Sequence, residues 1–295
     1  MKKKVSSVIV TLIILVGLAF LLYPTISDLL KTIAYNSAID NFRTVVATID
    51  NETYDDIMAD AIAYNQKLLS RGNIRANLTD EELEEYESKL KIDESGIMGY
   101  VVIPKINVSL PIYHGTSDTV LQSGVGHLEG SSLPIGGKGS HAVLSGHRGL
   151  PSAKLFTNID RLQVGDTFTV RVLREVLTYE VDDISTVLPS EVNALQIVEN
   201  EDYCTLLTCT PYGVNSHRLL VRGHRIPTPP EEDAETFDNI VSDGIRTEYL
   251  LLIVGVAAVA ILFGVITVTV RRHRKRRVSR IENHTITPLK EEPYE

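Results

Sequence analysis

Two stretches of the chain carry no charge. Val5 to Tyr23 spans 19 residues and Tyr249 to Val270 spans 22, and either is long enough to cross a ~30 Å hydrocarbon layer as a helix. Between them, apolar positions recur first at helical and then at strand spacing. Ile39, Phe42, Val46 and Ile49 repeat every three or four residues, as do Tyr54, Ile57, Ala61, Tyr64 and Leu68. This predicts two amphipathic helices between Ile26 and about Arg71, broken at "DNET". "LTDEELEEYESKL" (78–90) opens with Thr79 and has Glu82 three residues on, a capping-box spacing. It predicts a short, charged, mobile helix or a partly ordered loop.

From Ile97 the period changes. "MGYVVIP", "VSLPIY", "SHAVLSGH", "TFTVRVL", "TYEVDDISTVLP", "YCTLLTC" and "RLLVRGHR" are short runs rich in Val, Ile, Leu and Thr. Gly, Pro, Asn and Asp punctuate them, as at Gly165-Asp166 in "LQVGDTF". Seven or eight strands within 130 residues predict one closed or nearly closed barrel.

Charge orients this plan. Lys2, Lys3 and Lys4 precede the first apolar run, and "RRHRKRRVSR", with seven Lys/Arg in ten residues, follows the second. Positive flanks on the outer side of each run predict a two-pass membrane protein with both termini in the cytoplasm. The first run also has the form of a signal peptide. No convincing small-x-small cleavage site stands near Tyr23, which favours an uncleaved anchor. The expected organisation is a basic start (1–4), a membrane helix (5–23), exterior helices and a connecting segment (24–96), a β-barrel domain (97–227), a linker (228–248), a second membrane helix (249–270) and a basic tail (271–295). The exterior segment holds 18 Lys/Arg against 34 Asp/Glu, a net −16. That charge argues against nucleic acid or anionic lipid as its ligand.

Cys204 and Cys209, both in "YCTLLTCTPYG", are the only cysteines. In an extended strand, five steps separate them by roughly 16 Å. A disulfide needs Cα atoms within ~7 Å, and one Zn²⁺ needs each sulfur at ~2.3 Å. Neither fits an extended strand, so this plan leaves at least one free thiol outside the cytoplasm, and a nucleophile is one role that would explain it. Such a thiol needs a proton-transfer partner and a donor for the developing oxyanion. Six exterior histidines are available: His114, His127, His141, His147, His217 and His224. His147, in "VLSGHRG", ends an apolar strand and enters a glycine-flanked loop, where a barrel delivers side chains to its rim. The others read as surface or core histidines. After Cys209 the chain reverses through "TPYGVNSH", so Arg218 opens the next strand beside the end from which Cys209 leaves. Its planar fork suits a carbonyl oxygen gaining charge. Arg222, on the same strand face, reads as a surface charge.

These residues together resemble the sortases, cysteine transpeptidases of the Gram-positive cell surface. "TLLTC" stands nine residues before Arg218, and "SGHRG" places His147 62 residues before Cys209. "GHLEGSSLPIGG", "HRGLPSAKLFTNIDRLQVGD" and "TLLTCTPYGVNSHRLLVRGHR" are similar to the class C, pilus-assembling group, as are the two helices before the barrel and the second apolar run. The resemblance implies the eight-stranded sortase barrel and no cofactor or metal. It implies that Cys209 attacks the threonine carbonyl of an LPXTG-like sorting signal on a pilin or surface-protein precursor. His147 would protonate the leaving glycine amine and deprotonate the incoming one, and Arg218 would hold the oxyanion. A pilin lysine would resolve the acyl-enzyme. Cys204 stands where the family has a β-branched residue and reads as a buried core thiol.

Two other readings are separable from this one. A wall-anchoring sortase would give a single shifted product rather than a ladder, and a non-catalytic peptide binder would tolerate loss of Cys209. One departure also stands out. Class C sortases carry a lid anchored by Asp-Pro-aromatic, and no proline occurs here between Pro24 and Pro104. The expectation is a groove loosely covered or open, with Asp80 or Glu81 reaching Arg218 as the alternative latch.

Overall fold

A computed structural model describes residues 2–72 and 78–229, together with 254–256, 259, 264 and 268. The expected linker, most of the second apolar run and the basic tail therefore lie outside the described residues. The chain opens with one continuous helix, α1 (Lys2–Thr48), rather than an anchor followed by a separate amphipathic helix. Pro24 lies inside it; a proline removes one backbone donor from the ladder, and here it does so without ending the helix. Within α1, Val16–Thr48 is long and apolar enough to cross a membrane, and among the described residues it is the one such helix.

The helix stops where Asp50 accepts a hydrogen bond from Thr53 N at 2.8 Å and caps α2 (Asn51–Arg71). The expected break at "DNET" is thus present, with Asp50 as the cap and Asn51, Glu52 and Thr53 opening α2. α2 ends on Gly72, whose left-handed φ of 78° lets its N–H reach the carbonyls of Leu68 and Leu69. Leu29, Tyr35, Ile39, Phe42 and Val46 of α1 and Ala61, Tyr64 and Leu68 of α2 are buried. Ile39 through Leu68 join the same core as the barrel. Each large side chain so buried contributes roughly 1.5–3 kcal/mol at most.

Eight strands close a barrel: β1 (Ile97–Ile103), β2 (Val108–His114), β3 (Val125–His127), β4 (Ser140–Ser145), β5 (Thr167–Val172), β6 (Glu175–Val187), β7 (Asp202–Thr210) and β8 (His217–Ile226). Their order around the wall is β1-β2-β3-β4-β7-β8-β6-β5. Every neighbour is antiparallel except β2–β3 and β4–β7. The parallel β4–β7 pair needs a crossover, which is supplied by β5 and β6 passing round the far side. The interior holds Val101, Ile103, Leu144, Phe168, Val170, Tyr179, Cys204, Leu206 and Val221. The Phe168 and Tyr179 rings stack there at 5.6 Å.

The acidic segment is tied down rather than loose. α3 (Asp80–Ser88) has both halves of its capping box, Glu82 N to Thr79 Oγ1 and Thr79 N to Glu82 Oε2. Its charges pair with α2: Arg71–Glu82 at 3.0 Å, Lys67–Glu85, and Lys89–Asp60 just past the helix end. Tyr86, fully buried, is the anchor. Its hydroxyl accepts from Gly115 N at 3.0 Å and meets His127 Nδ1 at 2.9 Å. One aromatic residue docks the helix because it reaches the core, while Glu82 and Glu85 find cations on α2.

Candidate active site

β7 alternates faces, and the two cysteines fall on opposite ones. Cys204 points inward and is fully buried; its thiol is pushed well above the usual range, first by desolvation and then by the nearby charge of Asp202. Cys209 is partly exposed near the strand end, and both cysteines are free. One strand containing both residues confirms that they are too far apart to share a bridge or a metal.

Register brings two further side chains beside Cys209. In the antiparallel β7–β8 pair, Cys209 lies opposite Arg218, so both point outward and neighbour each other. In the parallel β4–β7 pair, each residue of β4 stands level with the residue 62 further on, from Ser140↔Asp202 to Ser145↔Leu207. The chain holds this offset past the strand end. Gly146 N donates to Leu207 O at 3.0 Å, and Thr208 Oγ1 donates to Gly146 O at 2.7 Å. His147 is therefore level with Cys209. His147, two residues past β4, thus continues the level of Cys209, which faces Arg218 across the β7–β8 pair.

The loop after His147 is braced from several directions. Phe156 N donates to His147 O at 3.1 Å, and Gly149 N to Thr157 Oγ1 at 3.1 Å. Gly146 must be glycine, since a Cβ there would lie 2.6 Å from the Phe156 ring. Lys154 joins the loop to α1, with its N–H on Asp28 Oδ1 at 2.7 Å and its Nζ 3.1 Å from Oδ2. Below the row, Val143, Leu195 and Leu220 are buried with Leu128, Val187 and Leu207 packed on them. This apolar patch lies outside the barrel, covered in part by the β6–β7 connection that carries Leu195.

Arg218 is partly buried, and its Nη1 donates to the carbonyls of Asn215 and His217, both at 3.2 Å. Among the described residues no carboxylate pairs with it, so neither Asp80 nor Glu81 forms the alternative latch. Those two residues begin α3, which Tyr86 commits to the β2–β3 side. Arg222 is better partnered than a surface charge: it forks onto Asp182 at 3.0 and 3.0 Å and lies 4.3 Å over the Tyr203 ring.

The remaining histidines divide by burial. His127 and His141 are core residues, both lowered to about 4 chiefly by desolvation. His141 meets Gln196 O at 3.0 Å and Thr205 Oγ1 at 2.7 Å. His114 lies between two backbone carbonyls, of Lys89 and Gly96. Sequence reasoning missed Thr208 and Arg148, which hold the rim together. No local pattern marked either one, because both depend on the β4–β7 register. Among the described residues no group of three or more His, Cys, Asp or Glu side chains could hold a metal ion.

Known proteins share the sequence and the fold of this chain. The family model described as "Sortase domain" matches residues 101–226. The crystal structure of sortase C1 from Streptococcus agalactiae is 53% identical with a TM-score of 0.64, covering 65% of this chain and 100% of that one. Sortase C of Clostridium perfringens, solved with the C-terminal cell wall sorting motif, is 43% identical at a TM-score of 0.58, over 65% of this chain and 99% of that one. Sortase D of Bacillus subtilis is 28% identical over 165 residues, 54% of this chain and 80% of its own length.

Proposed function

Because the chain belongs to the sortase family of cysteine transpeptidases, with class C structures among its neighbours, we propose that it cleaves an LPXTG-like sorting signal and joins the product to a pilin lysine. The observation that carries this reading is the partly exposed Cys209 with Arg218 opposite it and His147 level with it. The Cys209 thiolate attacks the threonine carbonyl carbon, and Arg218 holds the oxygen that gains charge. The threonine–glycine C–N bond then breaks, the protonated His147 gives its proton to the departing glycine amine, and a thioester remains on Cys209. A lysine ε-amine attacks that thioester and passes its proton to His147. The C–S bond breaks and an isopeptide bond forms, leaving thiolate and imidazolium for the next cycle. The partly buried members of the outer apolar patch, Leu128, Val187 and Leu207, offer a floor for the apolar side chains of the signal.

α1 serves in this reading as the membrane anchor, with the barrel outside the cell. The basic flanks of both apolar runs support a two-pass arrangement with cytoplasmic termini. The test is product analysis with a pilin precursor that carries both a sorting signal and an acceptor lysine. SDS-resistant ladders, absent with Cys209→Ala, support polymerisation. A single shifted band with a wall-type amine acceptor would indicate anchoring. Turnover that survives Cys209→Ala would remove the enzyme reading.

A further inference from the structure

Arg148 follows the proposed proton-transfer residue directly, and its side chain is only 10% exposed. It does not extend toward solvent or toward an open groove. Nη1 donates to Thr210 Oγ1 at 3.2 Å, and Nη2 pairs with Asp160. The buried Nε–H has no hydrogen-bond partner among the described residues. A guanidinium held largely out of water with one donor unmet is costly. For stability alone, an apolar side chain of similar volume would serve as well or better.

What this placement achieves is visible in the numbering. Thr208 binds Gly146, and Thr210 binds Arg148. Both links keep the offset of 62 that pairs β4 with β7. They straddle the His147–Cys209 level, one on either side. The first link lies one residue past β4, where Gly146 N still reaches Leu207 O and continues the spacing of the ladder. The second lies beyond the end of β4, where no ladder remains and the chain is turning into the 148–158 loop. We infer that Arg148 is a positioning residue: its fork clamps the His147 loop to the residue after Cys209 and sets the distance over which the proton moves. Asp160 holds the other tine and so fixes the direction of the fork. A lysine can reach one of the two partners but cannot span both.

This inference rests on the transpeptidase reading of Cys209 and His147. The full-length protein in detergent is assayed with a fluorogenic sorting-signal peptide and a lysine peptide acceptor, following kcat, KM and the thermal midpoint. Arg148→Gln is expected to lower kcat by about tenfold or more with KM within about twofold, because a small misplacement of a reacting group acts on the chemical step rather than on binding. Arg148→Lys should recover only part of the loss. Thr210→Val should lower kcat in the same manner and Thr210→Ser should not, and the Thr210→Val effect should largely vanish in the Arg148→Gln background. Raised KM at unchanged kcat would instead make Arg148 a substrate contact, and full additivity of the two substitutions would break the clamp; either overturns the inference. If the Arg148 variants do not fold, the Thr210 pair decides, with wild-type kcat in Thr210→Val counting against the clamp. A wild type that cleaves the peptide alongside unaffected clamp variants removes this inference alone. A silent wild type removes the transpeptidase reading and the inference with it.

Discussion

Thr208 Oγ1 donates to the carbonyl oxygen of Gly146 at 2.7 Å, joining the residue before the thiol to the residue before the imidazole. Thr208 is 1% exposed, so water cannot replace the bond. Thr208→Val keeps the volume and the β-branch but leaves a buried carbonyl unmet, at a cost of about 1–3 kcal/mol. Chemical denaturation should show that loss, together with a lowered kcat, and Thr208→Ser should restore most of both. Unchanged turnover in Thr208→Val would mean that the β4–β7 ladder alone sets the site.

The two thiols should behave oppositely. Cys204 is fully buried with its thiol raised well above the usual range, whereas Cys209 is partly exposed. A small alkylating reagent should modify Cys209 in the native protein and reach Cys204 only on unfolding. Cys204→Val should retain most transpeptidation, and mass mapping of the labelled peptide checks the order. First labelling at Cys204 would reverse the assignment.

Arg218 and Arg222 are four residues apart on one strand face but have different partners. Arg218 makes only backbone contacts among the described residues, which leaves its fork available to a substrate carbonyl. Arg218→Lys should lower kcat by about a hundredfold or more, since losing one oxyanion donor costs on that order. Arg222 is engaged by Asp182 and Tyr203. Arg222→Ala should chiefly lower the thermal midpoint, and steady-state kinetics on the pair distinguishes the roles.

Acid should destabilise the fold before most carboxylates titrate. His127 and His141 are lowered by desolvation from 6.5 to about 4, so the unfolded chain binds more protons between those values. Their contribution is fully present above about pH 6.5 and is lost as pH falls toward about 4. It amounts to roughly 3 kcal/mol for each residue. Thermal midpoints measured across that window should fall with falling pH, and His127→Gln should flatten the slope while lowering the midpoint overall. A flat profile in the wild type would show that neither histidine is buried neutral in solution.

Local signals carried much of this protein. Strand spacing between Ile97 and Ile226 predicted a barrel, because period-two alternation and turn residues act over a few positions. The five steps from Cys204 to Cys209 excluded a bridge or a shared metal, because the reach of an extended strand needs no tertiary partner. The reversal "TPYGVNSH" placed Arg218 beside Cys209 for the same reason, since a tight antiparallel return is a local event. The capping box at Thr79–Glu82 was equally legible.

Tertiary structure decided what depended on distant partners. Tyr86 docks α3 through Gly115 and His127, so a helix that is mostly acidic by composition is held rather than loose. α1 runs unbroken through Pro24 to Thr48, where helical pattern alone suggested two elements. Arg148 binds Thr210 and Asp160, a pairing that no local pattern announces. The level of His147 with Cys209 depends on a parallel register between strands 62 residues apart, and a parallel pair is set only when the intervening strands have closed the barrel. Residue type and parity are properties of the chain, whereas register across a crossover and the partners of a buried charge are properties of the folded whole.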